Sequence, residues 1–244
     1  MNAIAHPLPV FDVRRAARAI TALVSDPDDL PQVFTILESL SGTAPHRLLR
    51  RFGRTPVGAR LLRERTDIVP TLDDREALRR LPVGTLGRAY LDFVESERIS
   101  PKGIRDASER GVTARAGATA FDYLRERMRD THDLWHAATG YQGDVVGEAA
   151  LLAFYLAQHW NTGVALIVGA AWWKGRASGI GAVIAEGHRR GRAAAWLPAQ
   201  DWESLLALPL DEVRRRLSLG APPVYTPVRA DAVRQGGGVW TAMA

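Results

Sequence analysis

The chain contains no cysteine, which excludes disulfides, thiolate nucleophiles, cysteine-ligated zinc and cysteine-held iron–sulfur clusters together. Any metal site must therefore draw on histidine, aspartate and glutamate. Lysine is nearly missing as well. Lys102 and Lys174 are the only two among 32 basic residues, so arginine supplies the other 30. Long apolar runs are also lacking. The most apolar region, Ala149 to Trp173, is interrupted by Gln158, His159 and Asn161, and its uninterrupted piece from Thr162 to Trp173 falls short of the ~17–25 residues of a membrane span. The N-terminus shows no charged start, apolar run and small-residue cleavage site of a secretory peptide.

What is present reads as an ordinary globular chain: 244 residues, 46% hydrophobic and 24% charged. That length can bury roughly 70% of the unfolded surface within one good-sized domain. The net charge is +5, but the arginines alternate with acids, as in Arg63-Glu64-Arg65, Asp74-Arg75-Glu76 and Arg125-Glu126-Arg127. Such interleaving marks solvated helix faces with local pairing, whereas nucleic-acid binding needs cations clustered on one side. No nucleic-acid partner is expected.

Helix punctuation runs the length of the chain. Phe11 to Val24 carries Arg14, Arg15 and Arg18 between apolar positions and reads as an amphipathic helix followed by the acidic turn Asp26-Pro27-Asp28-Asp29. Asp28 or Asp29, with Pro31 just inside, predicts a helix through Leu40 that Ser41-Gly42 closes. Short helices are expected over Pro45–Phe52 and Thr55–Arg65, then from Leu72-Asp73-Asp74 to just before Pro82. Thr85 caps a helix whose Leu86, Tyr90, Leu91 and Val94 form one apolar stripe. Residues 99–118, with Pro101, Gly103, Gly111 and Gly117, read as a loop long enough for a lid or binding loop. Further helices are expected over Thr119–Thr139, Val145–Trp160, Thr162–Trp173, Gly181–Arg192 and Leu210–Leu217, with a helical turn at Trp202-Glu203. Ala193 to Leu197 reads as a short strand or extended link. Pro222, Pro223 and Pro227 force extended chain after Gly220, and Gly236-Gly237-Gly238 opens a flexible tail. The expected class is all-α: a single-domain helical bundle over residues 1–230, with a long loop, an extended C-terminal segment and a tail over 231–244.

Chemistry concentrates in one place. His6, His46 and His188 stand alone, the usual pattern of surface or satisfied core histidines. His132, Asp133 and His136 do not. At about 100° per helical residue the two histidines lie about 40° apart and Asp133 about 100° from His132, so three ligand-capable side chains share one arc. Glu148 follows the turn Gly140-Tyr141-Gln142-Gly143, on the otherwise apolar stretch Val146–Leu152, and a helix hairpin returns it beside the histidines. A carboxylate among leucines costs roughly several kcal/mol unless it is paired or binds a metal. Gly147 allows close approach of a backbone or ligand. Imidazole and carboxylate together suit zinc or another divalent first-row metal. His132, Asp133, His136 and Glu148 are thus the expected ligands and catalytic centre, although a bare HxxxH pair is also common in helices that hold no metal. His159 shares the face of Glu148, but eleven residues of helix set it ~16 Å away, so it reads as a helix-end residue. The run His188-Arg189-Arg190-Gly191-Arg192 reads as a solvated helix end, with anionic lipid or phosphate as the alternative.

His132-Asp133-Leu134-Trp135-His136, then eleven residues and Glu148, resembles the HDxxH-x11-E metal motif of the coenzyme Q biosynthesis family whose fungal and animal members are the fourth Coq protein. Leu81-Pro82-Val83-Gly84-Thr85-Leu86-Gly87-Arg88-Ala89-Tyr90, with Phe93 and Ser100-Pro101, is similar to a second stretch of that family. So is the closing segment Gly191-Arg192-Ala193, Trp202-Glu203, Pro209-Leu210, Leu217 and Ala221-Pro222-Pro223. The resemblance spans roughly residues 45–230 and leaves the first ~40 residues and the tail uncovered.

The resemblance implies an all-helical protein that binds a divalent metal, usually zinc, with iron, manganese or cobalt as other choices. It implies a prenylated quinone precursor or other isoprenoid lipid as ligand, other ubiquinone-biosynthesis proteins and a second copy of the chain as partners, and peripheral contact with the membrane. It also implies a part in replacing the C1 carboxylate of the quinone head precursor by hydroxyl. For a bacterial member this means a cytoplasmic protein associated peripherally with the inner membrane. Leu151 to Trp173, with Phe154, Tyr155, Trp160, Trp172 and Trp173, is then either bundle core or the wall of a prenyl channel. Three other readings compete. HDxxH is one methylene from the HExxH of zinc peptidases; the metal can be structural in a non-catalytic lipid-binding scaffold; and an HD-type phosphohydrolase needs further histidine and aspartate ligands for which only isolated candidates exist.

Overall fold

The computed structural model describes residues 11–25, 29–100, 103, 105 and 119–229. The fold is all-α, as expected. Local chemistry explains most helix starts. Helix α1 (Val13–Ser25) begins where the Asp12 carboxylate accepts from Arg15 N at 2.9 Å, and α2 (Leu30–Ser39) carries Pro31 in its first turn. After α3 (Ala44–Gly53), the Thr55 side chain caps α4 (Pro56–Glu64) by accepting from Gly58 N. Asp74 separates α5 (Val69–Asp73) from α6 (Arg75–Arg80) and caps the latter. Thr85 does the same for α7 (Leu86–Glu97).

Thr119 and Asp122 form a reciprocal capping box that opens α8 (Ala120–Asp130). Next come α9 (His132–Thr139), α10 (Val145–Gln158), capped by Asp144, and α11 (Thr162–Gly175), capped by Asn161. The chain continues through α12 (Ile180–Ala193), a 3₁₀ turn at Leu197–Ala199, α13 (Trp202–Leu205) and α14 (Leu210–Arg216). From Ala221 to Arg229 the chain is irregular, as the prolines require.

The main apolar core gathers Leu86, Tyr90, Leu91 and Val94 of α7, Leu134, Trp135 and Ala138 of α9, Ala150, Leu151 and Phe154 of α10, and Trp202 and Val213 from the later helices. α10 packs most closely on α12, because Gly187 and Gly191 let the two backbones touch: a Cβ at Gly187 would overlap the carbonyl of Ala150, and one at Gly191 that of Phe154. This packing fixes α10, which carries Glu148, against the rest of the fold.

Three sequence expectations change, and one open choice, strand or extended link, is decided for the link. Thr119–Thr139 is two helices, not one, because the chain breaks at Thr131 (φ −93°, ψ 0°), whose hydroxyl donates back to Arg127 O at 2.8 Å. Val69–Asp73 is helical ahead of the predicted start, with Pro70 in its first turn. Ala194 to Trp196 is an extended link into a 3₁₀ turn, and among the described residues the only β-type pairing is the isolated bridge between Thr85 and Pro209. The third change concerns Arg190. It is not on a solvated helix end but 5% exposed, donating from Nη2 to Thr139 O (2.8 Å) and from Nε and Nη2 to Leu219 O (3.1 and 2.9 Å). It thereby satisfies a carbonyl at the C-terminus of α9. Most of the loop expected at 99–118, and the tail expected at 231–244, lie outside the described residues.

Candidate metal centre

Two consecutive helices build the site. His132 opens α9 and His136 follows one turn later on the same face. Gly140, at φ +84°, ends α9 in the left-handed conformation that glycine adopts without strain. Four residues later Asp144 starts α10, and Glu148 stands in its first turn. The short link brings the carboxylate back over the imidazoles.

One ligand-capable atom from each of His132, His136 and Glu148 falls within 4.8 Å of the others. His136 Nε2 lies 3.2 Å from Glu148 Oε1, and His132 Nε2 lies 3.7 Å from Glu148 Oε2. A tetrahedral ion bound at about 2.0–2.1 Å has ligand–ligand edges of about 3.3 Å, which these separations resemble. The far side of each ring is tied down. His136 Nδ1 donates to the backbone carbonyl of Tyr141 at 3.0 Å; since a carbonyl only accepts, the proton sits on Nδ1 and the Nε2 lone pair points into the site. His132 Nδ1 is 3.2 Å from Asp133 Oδ1, the carboxylate–histidine arrangement common around zinc. Phe93 of α7 stacks on the His136 ring at 4.9 Å and 13° between planes. The Nε2 atom of His136 is buried and, despite the nearby Glu148 oxygen, has no partner in hydrogen-bonding geometry. A buried acceptor left in this condition fits a metal ligand.

The electrostatics agree. Burial opposes charge on Glu148, yet the imidazoles beside it, His136 first and then His132, hold the carboxyl down at about 2. Burial likewise disfavours the charged form of His132, but the Asp133 hydrogen bond and the Glu148 and Asp133 charges outweigh it and raise its pKa. The group is a negative carboxylate facing two imidazoles, a place where positive charge is stabilised. His136 is almost closed off, with a side chain 1% exposed, while His132 and Glu148 retain 36% and 39%. The cluster is therefore open on one side.

Asp133 stands apart from this convergent group. Its side chain, 5% exposed, meets His132 at Nδ1, the ring nitrogen turned away from Glu148, and takes no part in the group of ligand atoms. The sequence places Tyr90 in an apolar stripe and Phe93 in a family-like stretch, and gives neither a part in the site. Tyr90 is fully buried with an unpaired hydroxyl, whose pKa is raised by burial and next by the Asp133 charge. The Tyr141 carbonyl had no side-chain signal to find it by. His159 ends α10, packed edge-on against Tyr155; burial, followed by Arg47 and Arg51, lowers its pKa to about 4.

The apolar stretch Leu151–Trp173 divides. Phe154 is core, whereas Trp160, Leu166, Trp172 and Trp173 are exposed. Two recesses of about 370 and 250 Å³ lie elsewhere, the first between Phe11, Arg47 and Trp160 and the second between Arg65, Tyr123 and Asp130. No helix among the described residues is long and apolar enough to cross a membrane.

The family model of the coenzyme Q (ubiquinone) biosynthesis protein Coq4 matches residues 13–223, taking in α1 and α2, which the motifs alone had left uncovered. The mitochondrial ubiquinone biosynthesis protein COQ4 of Yarrowia lipolytica is 27% identical over 208 residues, covering 78% of this chain and 72% of the relative. The Bos taurus homologue is 29% identical over 197 residues, with 78% and 71% covered. The Homo sapiens homologue is 28% identical over 235 residues, with 90% and 83% covered. A crystal structure from Nostoc punctiforme, described as a candidate ubiquinone biosynthesis protein, superposes with a TM-score of 0.65 at 25% identity, over 87% of this chain and all of that one. The chain belongs to the Coq4 family of coenzyme Q (ubiquinone) biosynthesis proteins.

Proposed function

We propose that this chain acts in ubiquinone biosynthesis as a metal-dependent protein that binds a prenylated aromatic acid and supports replacement of its C1 carboxylate by hydroxyl. The convergence of His132, His136 and Glu148 carries the reading. His132 Nε2, His136 Nε2 and the Glu148 carboxylate would hold one divalent cation, zinc being the ion best matched to two imidazoles and a carboxylate. Asp133, first expected as a fourth ligand, orients His132 from its Nδ1 side. Three protein ligands leave a coordination position open, as in catalytic and not structural zinc sites. A bound divalent cation supplies Lewis acidity toward an aromatic carboxylate.

The chain's own residues do the rest. The Tyr141 carbonyl and Asp133 fix the orientation of the two imidazoles from their Nδ1 sides. Phe93 and the buried side of His136 exclude water from one wall, while the open side, at His132 and Glu148, admits substrate. Net conversion of an aryl carboxylic acid to a phenol releases CO₂ and is a two-electron oxidation; zinc has no second redox state, so an external oxidant is needed. With dioxygen in that role and water supplying the phenol oxygen, the reaction balances as acid + H₂O + O₂ giving phenol + CO₂ + H₂O₂. The exposed Trp172 and Trp173, next to Lys174 and Arg176, with Leu166 exposed earlier in α11 and Trp160 just ahead of it, support peripheral contact with a lipid surface and with the prenyl tail.

Complementation tests the reading. A host deleted for its own family member should regain ubiquinone in lipid extracts when supplied with this chain, and not with Glu148→Gln. Absence of ubiquinone despite a soluble, metal-loaded chain contradicts the assignment. A structural-metal scaffold would show the opposite pattern for His132→Ala, losing fold and partner binding together instead of turnover alone.

A further inference from the structure

The segment after the family match, which ends at residue 223, is tied to the link between the two ligand helices. The Tyr225 hydroxyl donates to Asp144 Oδ2 at 2.7 Å and accepts from Gln142 N at 3.0 Å. Val228 N donates to Asp144 Oδ1 at 2.8 Å, and Val228 O accepts from Val145 N at 2.9 Å. Asp144 Oδ1 also accepts from Val146 N at 3.0 Å, which makes Asp144 the N-cap of α10. Arg229 then pairs with Glu97 at the end of α7. A Cβ at Gly147 would overlap the Gln142 carbonyl first and then the Tyr225 hydroxyl and Asp144 Oδ2, so the strap crosses the helix where no side chain fits.

These contacts converge on the metal centre without touching it. Gln142, held by Tyr225, follows Tyr141, whose carbonyl fixes His136. Asp144, 2% exposed and saturated by three donors, sets the start of the helix that presents Glu148 one turn later. We infer that Tyr225 is a positioning residue for the metal centre, acting through Gln142 and Asp144 to hold His136 and Glu148 at ligand distance from each other. The inference rests on the proposed metal reading, and it assigns to residues 225–229 a role outside the matched family segment. A strap that served only stability would lower Tm and leave metal affinity and ligand geometry alone.

The experiment is Tyr225→Phe in the full chain, titrated with Zn²⁺ alone and with Co²⁺ alone, whose visible absorption reports coordination geometry. Losing a group hydrogen-bonded directly to a metal ligand typically costs about 10–100-fold in affinity. Tyr225 acts one step further out, through Gln142 and Asp144, so the bottom of that range is expected, a Kd raised about tenfold with an altered Co²⁺ spectrum. Asp144→Asn retains the acceptor for Val146 and Val228 and offers Nδ2–H to the Tyr225 oxygen, so it should stay within about threefold of the parent. Leu61→Ala, buried in the separate cluster around Phe52, supplies a variant of reduced Tm with unchanged affinity. A Tyr225→Phe chain with parental Kd and spectrum overturns the positioning role and leaves the metal reading intact. If Tyr225→Phe does not fold, Arg229→Ala, which loosens the same strap from Glu97, replaces it: a Kd and Co²⁺ spectrum equal to the parent's overturn the role, and a raised Kd supports it. A parent chain that binds neither ion overturns both.

Discussion

Replacing Arg190 tests whether the C-terminal end of the helix carrying both histidines depends on a charge from α12. Arg190→Met keeps much of the volume but removes every donor. Two carbonyls, Thr139 O and Leu219 O, lose three hydrogen bonds inside a region where the arginine is 5% exposed. Each buried acceptor left without a partner costs about 1–3 kcal/mol, and loss of a cation at a helix C-terminus adds about 0.5–1 kcal/mol. The methionine's own burial offsets part of this, leaving about 3 kcal/mol. In a chain of this size 1 kcal/mol moves Tm by roughly 2–4 °C, so calorimetry should show a fall of about 6–12 °C. The neighbouring Arg192 is exposed, and Arg192→Met should remain within about 0.5 kcal/mol. If the two variants melt alike, the run is a solvated helix end after all and the buried role of Arg190 is wrong.

Other outcomes follow from the same packing and electrostatics. His159, lowered to about 4 when folded from 6.5 when unfolded, binds fewer protons in the native state between those values, so stability is full above about pH 6.5 and falls as pH drops toward 4. A shift of this size corresponds to about 3 kcal/mol, and urea unfolding at a series of pH values should show a flatter profile for His159→Gln; an unchanged profile would contradict the assignment. Gly187→Ala drives a methyl into the carbonyl of Ala150 and should destabilise by about 1–3 kcal/mol, while Gly169→Ala, which meets open space, should be neutral or slightly stabilising in thermal melts.

Much of the fold can be read from local signals. Thr55, Asp74, Thr85, Thr119, Asp144 and Asn161 all cap helices where side-chain chemistry favours it. The break at Thr131 is less visible, because it depends on a back-bonded hydroxyl and on Asp130 pairing with Arg105 and Arg129. At the site, His132, His136 and Glu148 are legible through helical spacing and a carboxylate in apolar surroundings. The role of Asp133 is not, since spacing alone does not tell which ring nitrogen a neighbouring carboxylate meets. Arg190 misleads for a related reason: its acceptors, Thr139 O and Leu219 O, are distant in sequence and are backbone atoms. Phe93 and Tyr225 act through long-range contacts that no local pattern announces.

The central claim is that three side chains from two helices bind one divalent cation. Equilibrium titration of the chelator-treated chain with Zn²⁺, checked by elemental analysis after gel filtration, tests it most directly. One equivalent per chain is expected, lost in a His136→Ala, Glu148→Gln double variant that still folds; no retained zinc in the parent, or equal retention by that variant, would contradict the claim.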